Sequence, residues 1–229
     1  MAHQLDLEEQ EQLDELKHFW SRYGNLITWI LIAVLGSLAA WNGYAYWRKN
    51  QAAQSAVMFD EMEKSLQSAD LSKVERTFND MKERFPASTY TQQAALQLAK
   101  MAADTQKTDT AKAALQWAAD NASDEGYASV ARLRLASLHM ETKAFASALK
   151  VLEDVKSPAF KALVDDRKGD IRMLEGKKTE AKAAYLQAFS ALEERSEYRR
   201  LIRVKLNALG IEPEASKADS AKKSADGDR

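Results

Sequence analysis

Hydrophobic and polar positions along the chain separate into one long apolar run and a series of amphipathic segments. From Tyr23 to Trp47 the chain has 25 residues without Asp, Glu, Lys or Arg. As an α-helix this run would be roughly 36 Å long, enough to cross a hydrocarbon core of roughly 30 Å. Aromatic and basic residues near its ends suit the headgroup layer; they are Arg22, Trp29, Trp41, Trp47 and Arg48. The pattern predicts a transmembrane helix over residues 23–47.

Two other interpretations of the run fit less well. A core helix of a soluble protein rarely lacks charge on every face for seven turns. A cleaved signal peptide has an apolar core of about 7–15 residues, whereas this run is longer and follows an acidic tail, despite a small-residue cleavage pattern at residues 37–39. We therefore expect an uncleaved anchor. In the tail (residues 1–22), Leu13 and Leu16 begin an apolar stripe at helical spacing. This stripe is compatible with a helix on the membrane surface or with a solvated flank.

Beyond the anchor, apolar residues recur with helical spacing. Ala52, Ala56, Phe59 and Leu66 keep the helical period directly after Arg48, so the membrane helix is expected to continue into the next domain. No segment alternates apolar and polar residues over a strand length. The sequence predicts an all-α fold with about nine helices of 12 to 18 residues in the part that follows the membrane helix.

Several local motifs mark the expected helix ends. Ser72 and Glu75 predict a capping box, Ser88 predicts the next N-cap, and residues 121–126 predict a break. Ser157 followed by Pro158 predicts an N-cap and a first helical position. Gly176 predicts a tight turn. Residues 212–229 contain no large apolar residue and are predicted to form a disordered tail.

Four segments share one spacing of small and large apolar residues. Gly176–Ala181, with Tyr185 and Ala188, matches the second helix of a tetratricopeptide repeat, and Gly169 lies where the first helix needs a small residue. The same frame fits three earlier segments at spacings of 37, 37 and 33 residues. Their frame positions are Val74, Phe78 and Met81; Ala111, Leu115 and Ala118; and Ala148, Leu152 and Val155. Such helix pairs stack into a superhelix, so residues 48–211 are predicted to form a tetratricopeptide-like repeat domain.

Charge and composition limit the function. Residues 1–22 carry six acids and two bases, and residues 48–229 carry 28 acids and 31 bases, which shows no strong basic surface for nucleic acid. The chain has no cysteine, which excludes disulfides and thiolate sites. None of the three histidines has metal-ligand spacing, and His139 is expected to be a packed residue. The adjacent acidic pair Asp165–Asp166 is expected on a solvated helix face. We expect no enzyme activity, catalytic residue, cofactor or metal.

Two surfaces are candidates for binding other proteins. Within the anchor, small residues at helical spacing could let another membrane helix approach closely; they are Gly36, Ala40 and Gly43. In the repeat domain, the first helix of each pair would line a concave groove suited to extended peptides. By frame the groove would include Leu96, Lys100, Leu133, Ser137, Met140, Asp166, Asp170 and Met173. Leu96, Leu133 and Met173 fit equally well as core residues.

Several motifs outside the repeats are shared with one bacterial family. They are residues 11–20 before the anchor, Trp41, Gly43 and residues 46–47 at its end, and residues 167–171 and 174–178. In these motifs, over roughly residues 7–210, the chain resembles the YfgM-like ancillary subunits of the Sec translocon, which are single-pass inner-membrane proteins with a periplasmic tetratricopeptide-like domain.

The resemblance implies a function and an orientation. It implies association with the SecYEG translocon and with a membrane-anchored periplasmic chaperone of the prolyl-isomerase class, with unfolded client proteins as further partners. The basic residues flanking the anchor do not decide the orientation. The resemblance implies a cytoplasmic N-terminus and a periplasmic domain in the bacterial inner membrane. The expected function is a membrane-anchored interaction module that links the channel to chaperones acting on newly translocated proteins. The alternative is a cytoplasm-facing adaptor that docks soluble partners through the repeat groove.

Overall fold

A computed structural model describes residues 7–213 of the chain, with side-chain surroundings from Leu13 onward. Within that range the chain is helical and contains no strand, as the predicted all-α fold requires. The helices are α1 (Leu7–Gln67), α2 (Leu71–Arg84), α3 (Thr89–Asp104), α4 (Thr108–Asn121), α5 (Glu125–Glu141), α6 (Phe145–Glu153), a 3₁₀ turn (Pro158–Phe160), α7 (Lys161–Leu174), α8 (Lys178–Ala191) and α9 (Glu197–Ala208). The predicted disordered tail lies outside the described residues from position 214 onward.

The chain divides into two units, Met1–Ala53 and Gln54–Arg229. The described residues of the first unit all belong to α1, which continues as helix to Gln67, as the spacing after Arg48 predicts. The second unit holds the other helices, most of them within the expected lengths. Helix α6 has nine residues and is shorter than expected.

The repeat frame is confirmed by the positions of the buried side chains. In α8, Ala181, Tyr185 and Ala188 are 0–3% exposed. The corresponding residues of the earlier second helices are also buried, except Val155, which follows α6 and is half-buried. The buried ones are Val74, Phe78 and Met81 in α2; Ala111, Leu115 and Ala118 in α4; and Ala148 and Leu152 in α6.

The turn between the two helices of each pair repeats a single backbone motif. A residue with positive φ follows α1, α3, α5, α7 and α9 at intervals of 37, 37, 33 and 34 residues. These residues are Ala69, Gln106, Lys143, Gly176 and Gly210. The next residue donates its N–H to the carbonyl five positions earlier, as Lys177 does to Arg172 at 2.8 Å. This is the bond that defines a Schellman motif, so these five helices end alike.

Helix pairs approach closely where the first helix carries a small residue. A Cβ built on Gly169 of α7 would lie 2.4 Å from Cε1 of Tyr185 in α8. The Tyr185 ring can therefore pack directly against α7 only because residue 169 is a glycine without a Cβ. This contact gives a physical reason for the glycine that the repeat pattern requires.

The predicted helix ends are mostly confirmed, with one correction. Ser88 caps α3 and accepts from Tyr90 N, and Gly176 adopts the expected turn. Ser157 and Pro158 begin a 3₁₀ turn that leads into α7. The predicted capping box at Ser72 and Glu75 is wrong: Asp70 is the N-cap of α2, and its carboxylate accepts from Lys73 N at 3.1 Å. The Schellman motif of α1 ends at Asp70. The N-cap of α2 is therefore two residues before Ser72.

Candidate functional site

The apolar run of α1 exposes its large side chains within its own unit. By length and composition alone, α1 is long enough and apolar enough to cross a membrane. Trp29, Trp41 and Trp47 are 54–74% exposed, and the aliphatic residues between them are similarly exposed. A soluble core helix would have these side chains covered. A hydrocarbon surrounding accounts for them, because lipid is the solvent that apolar side chains then face.

Two aliphatic hydroxyls of this run are bonded to the helix backbone. Thr28 donates to the carbonyl of Gly24 at 2.8 Å, and Ser37 donates to the carbonyl of Ala33 at 2.7 Å. Such bonds remove the cost of a free hydroxyl in hydrocarbon. At the boundaries, Arg22 lies over the Tyr23 ring and Arg48 lies over the Tyr44 ring, each at about 6 Å. The predicted belt thus pairs cations with aromatic rings.

The small residues of α1 leave one face of the helix open. A Cβ added at Gly36 or Gly43 would meet no atom within 4 Å, so neither glycine is required by packing inside the chain. With Ala40 they remain a predicted contact face for another membrane helix.

Three of the predicted groove residues belong to core clusters. Leu96 is 9% exposed and lies in the core formed by α1 to α5. Leu133 packs against the cluster around Leu152, and Met173 packs against the cluster around Tyr185. These contacts favour the core interpretation of all three. Lys100 is exposed.

The acidic groove residues are engaged by the last helix. Asp166 is 2% exposed; its carboxylate accepts from Lys205 Nζ at 2.7 Å and from the Tyr198 hydroxyl at 2.6 Å. Asp170 accepts from the same Lys205 Nζ at 2.7 Å and from the Tyr185 hydroxyl at 2.8 Å. One lysine therefore joins two carboxylates of α7 to α9. Neither acid is free to bind a partner while α9 is in place.

The expectation of a solvated face for Asp165–Asp166 is wrong. Asp165 is 5% exposed, and its carboxylate lies 2.6 Å from Lys161 Nζ. Asp165 is paired within α7, whereas the donors to Asp166 come from α9, which the sequence around the pair does not reveal. The hydroxyls of the network stay protonated: burial, and then the neighbouring carboxylates, raise the pKa of Tyr185 and of Tyr198.

The two remaining groove residues, Ser137 and Met140, lie together in an open groove between α5 and α7. Its volume is about 640 Å³. Five further residues line it that the repeat frame did not single out: Glu141, Lys143, Phe145, Arg167 and Leu174. The frame considered only the first helices, so it missed Lys143 and Phe145, which belong to the turn after α5 and the start of α6. Arg167 and Leu174 could have been found by projecting the exposed face of α7.

Histidine and acidic clusters offer no metal site in the part of the chain that the structure describes. His139 is half-buried, in agreement with a packed residue. Burial, and then the positive charge of Lys112, hold the pKa of His139 below its usual range.

Comparison with known proteins identifies the repeat and its family. A family model described as a tetratricopeptide repeat-like domain matches residues 17–211. A protein from Neisseria gonorrhoeae is 30% identical over 208 residues, which cover 89% of this chain and 98% of the relative. One from Haemophilus influenzae is 29% identical over 185 residues (80% and 89%), and one from Escherichia coli is 29% identical over 184 residues (77% and 85%).

All three relatives are named ancillary SecYEG translocon subunit. The family model extends from residue 17 to residue 211, so it covers both the apolar run and the repeats. This chain therefore belongs to the YfgM-like family of ancillary SecYEG translocon subunits, with a tetratricopeptide repeat-like domain.

Proposed function

We propose that this chain is a membrane-anchored interaction module that binds the SecYEG translocon and links it to periplasmic chaperones acting on newly translocated proteins. One observation carries the proposal: the similarity to ancillary SecYEG translocon subunits covers 89% of this chain and 98% of a relative. A repeat domain alone would fit many adaptors.

The two units would have different roles. The apolar run of α1 would anchor the chain, and its open small-residue face at Gly36, Ala40 and Gly43 would contact a helix of the channel. The repeat domain would recognise a membrane-anchored chaperone of the prolyl-isomerase class and segments of unfolded clients. In this proposal the N-terminus is cytoplasmic, the repeat domain is periplasmic, and the chain has no catalytic activity.

Co-isolation tests the partner. The full chain is cross-linked in intact bacterial cells, extracted in mild detergent and isolated, and the attached proteins are identified by mass spectrometry. We expect SecYEG subunits and a membrane-anchored prolyl isomerase to be enriched. A variant whose residues 23–47 are replaced by an unrelated single-span helix is the control for membrane crowding. Absence of SecYEG subunits from the wild-type sample would refute the proposal.

A matched pair of substitutions tests the contact face of α1. Gly36→Ile with Ala40→Ile fills the small-residue face, and Leu31→Phe with Leu35→Phe enlarges side chains at two other exposed positions. We expect the first pair alone to reduce SecYEG recovery, since close helix approach needs small residues. Equal recovery with both pairs would remove this face from the proposal.

Protease accessibility tests the orientation. In spheroplasts, a protease added outside digests only domains on the periplasmic side of the membrane. We expect the repeat domain to be digested without lysis. Protection until lysis would support a cytoplasm-facing adaptor instead.

A further inference from the structure

The groove between α5 and α7 has the chemistry of a specific ligand site. We propose that it binds an extended segment of a partner protein in which an acidic side chain lies next to a large apolar one. The inference rests on the proposed function, because it names the kind of segment that the repeat domain would recognise.

The apolar part of the groove lining, here called the apolar wall, is open. Met140 and Phe145 are half-buried, and Leu174 is 59% exposed although it lies beside them in the same groove. A single exposed leucine on a surface is ordinary. Three large apolar side chains around one concavity offer a ligand area that would leave water on binding. A leucine or phenylalanine of a partner fits this wall.

The rest of the lining carries positive charge that the chain does not fully neutralise. Arg167 has its Nη1 3.7 Å from Asp170 Oδ2, while Lys205 and Tyr185 approach Asp170 Oδ1 to 2.7 and 2.8 Å. The Arg167 side chain is 34% exposed, so its terminal nitrogens can be reached from the groove, although its Nε is buried and has no hydrogen-bond partner among residues 13–213. Asp170 is therefore committed mainly to α9 and α8, and the guanidinium keeps donors for a second carboxylate.

Lys143 adds a second cation at the same groove. It holds φ +56 in the turn after α5, and its side chain forms no ion pair within the described part of the chain. The groove also contains the exposed Glu141. The charged residues that line the groove are thus Lys143, Arg167 and Glu141. Their net charge is positive, which favours an acidic ligand over a basic one.

Residues 214–229 do not supply such a ligand. Residues 214–229 read EASKADSAKKSADGDR and include acids but no Leu, Ile, Val, Met or aromatic residue. They could meet the cations of the groove but could not cover its apolar wall. Acidic residues beside leucines also occur at residues 5–9, but in the proposed topology these lie across the membrane from the groove. We therefore assign the groove to a segment of another protein.

Synthetic peptides test the inference on the full chain in lipid nanodiscs. Three fluorescent twelve-residue probes share a Gly-Ser background and carry Leu-Asp-Phe-Asp-Leu, Leu-Lys-Phe-Lys-Leu or Ser-Asp-Ser-Asp-Ser at the centre. Binding is followed by fluorescence anisotropy. We expect the first probe to bind at least about tenfold more tightly than either other probe. The basic probe loses a charge-assisted hydrogen bond and the serine probe loses apolar burial, and each loss is worth about that factor or more.

Variants locate the binding to the groove. Arg167→Gln combined with Lys143→Gln should weaken the first probe by about tenfold or more. Leu174→Ser should weaken it severalfold, and because this side chain is 59% exposed, the substitution leaves the core intact. Lys150→Gln, at an exposed position of α6 outside the groove, should have no effect.

Equal binding of the acidic and basic probes, or unchanged binding by the groove variants, would overturn the inference. So would probe binding that falls as the concentration of the full chain rises, which would assign the groove to a second copy. The outcomes are separable from those of the proposed function. Probe binding without SecYEG co-isolation would refute the proposed function, whereas co-isolation without probe binding would refute only this inference.

Discussion

Ala69 occupies a turn position that favours glycine. It holds φ +54, whereas the equivalent turns after α7 and α9 use Gly176 and Gly210. A left-handed conformation costs an L-residue about 1–2 kcal/mol, and glycine avoids this cost at the expense of a more flexible unfolded chain. We expect Ala69→Gly to raise the free energy of unfolding by about 0.5 kcal/mol, measured by chemical denaturation.

The matched control is the same substitution within a helix. Ala146 is exposed in α6, and Ala146→Gly should lower the free energy of unfolding by about 0.5–1 kcal/mol. The same sign for both substitutions would contradict the assignment of Ala69 to the repeated turn.

The substitution Gly169→Ala tests the close contact between α7 and α8. Alanine would gain about 1 kcal/mol of helix propensity, but its Cβ would lie 2.4 Å from the Tyr185 ring. That ring is 3% exposed, and its hydroxyl is bound to Asp170, so it cannot move away without loss. We expect Gly169→Ala to lower the free energy of unfolding by about 1–3 kcal/mol net.

A double-mutant cycle separates the clash from other effects. In a Tyr185→Leu background, Gly169→Ala should become neutral or stabilising, because the ring that it meets is gone. An equal loss in both backgrounds would show that the clash is not the cause.

His139 makes stability fall with mild acid. Burial, and then Lys112, lower its pKa in the folded chain below the unfolded value of about 6.5. The unfolded state therefore binds more protons near and below that pH, so stability drops as pH falls through about 6.5. His139→Gln should flatten the change in the free energy of unfolding between pH 7.5 and 5.5. An unchanged slope would exclude His139 as its source.

At the scale of elements, Lys205 and Tyr198 of α9 both bind carboxylates of α7, and Lys205 supplies the positive charge. Lys205→Met leaves the 2%-exposed carboxylate of Asp166 without its cation, and removing one partner of a buried pair typically costs several kcal/mol. Since Lys205 is itself 25% exposed, we expect a loss of about 2–4 kcal/mol. Lys182→Met, at an exposed position of α8, is the control and should change little. Equal effects of the two substitutions would contradict this role of α9.

The repeat helices were predictable from the sequence, whereas the contacts of α9 were not. The second helices were predictable because their small and large apolar residues recur in one frame, and Ala148, Leu152 and Tyr185 are buried as expected. The partners of Asp166 and Asp170 were not predictable, since Tyr198 and Lys205 lie 32 and 35–39 residues away. Their pairing depends on how α9 packs after the last repeat, which the frame does not specify. The cap at Asp70 was missed because a capping-box pattern lies two residues beyond it.

At the scale of the whole molecule, α1 carries the properties on which the proposed function depends. Its run over residues 23–47 is uncharged, its large side chains are exposed, and the hydroxyls of Thr28 and Ser37 are bonded within the helix. An anchor concentrates the repeat domain at the membrane, where weak recognition of a neighbouring partner is sufficient. Without the anchor, the same repeats would be a soluble adaptor.

Alkaline carbonate extraction tests this anchoring most directly. Membranes that contain the full chain, and membranes from cells that express the chain without residues 23–47, are washed in carbonate and sedimented. An integral span survives the wash, whereas peripheral attachment does not. We predict that the full chain stays in the pellet and that the shortened chain is released. Release of the full chain into the supernatant would contradict the account.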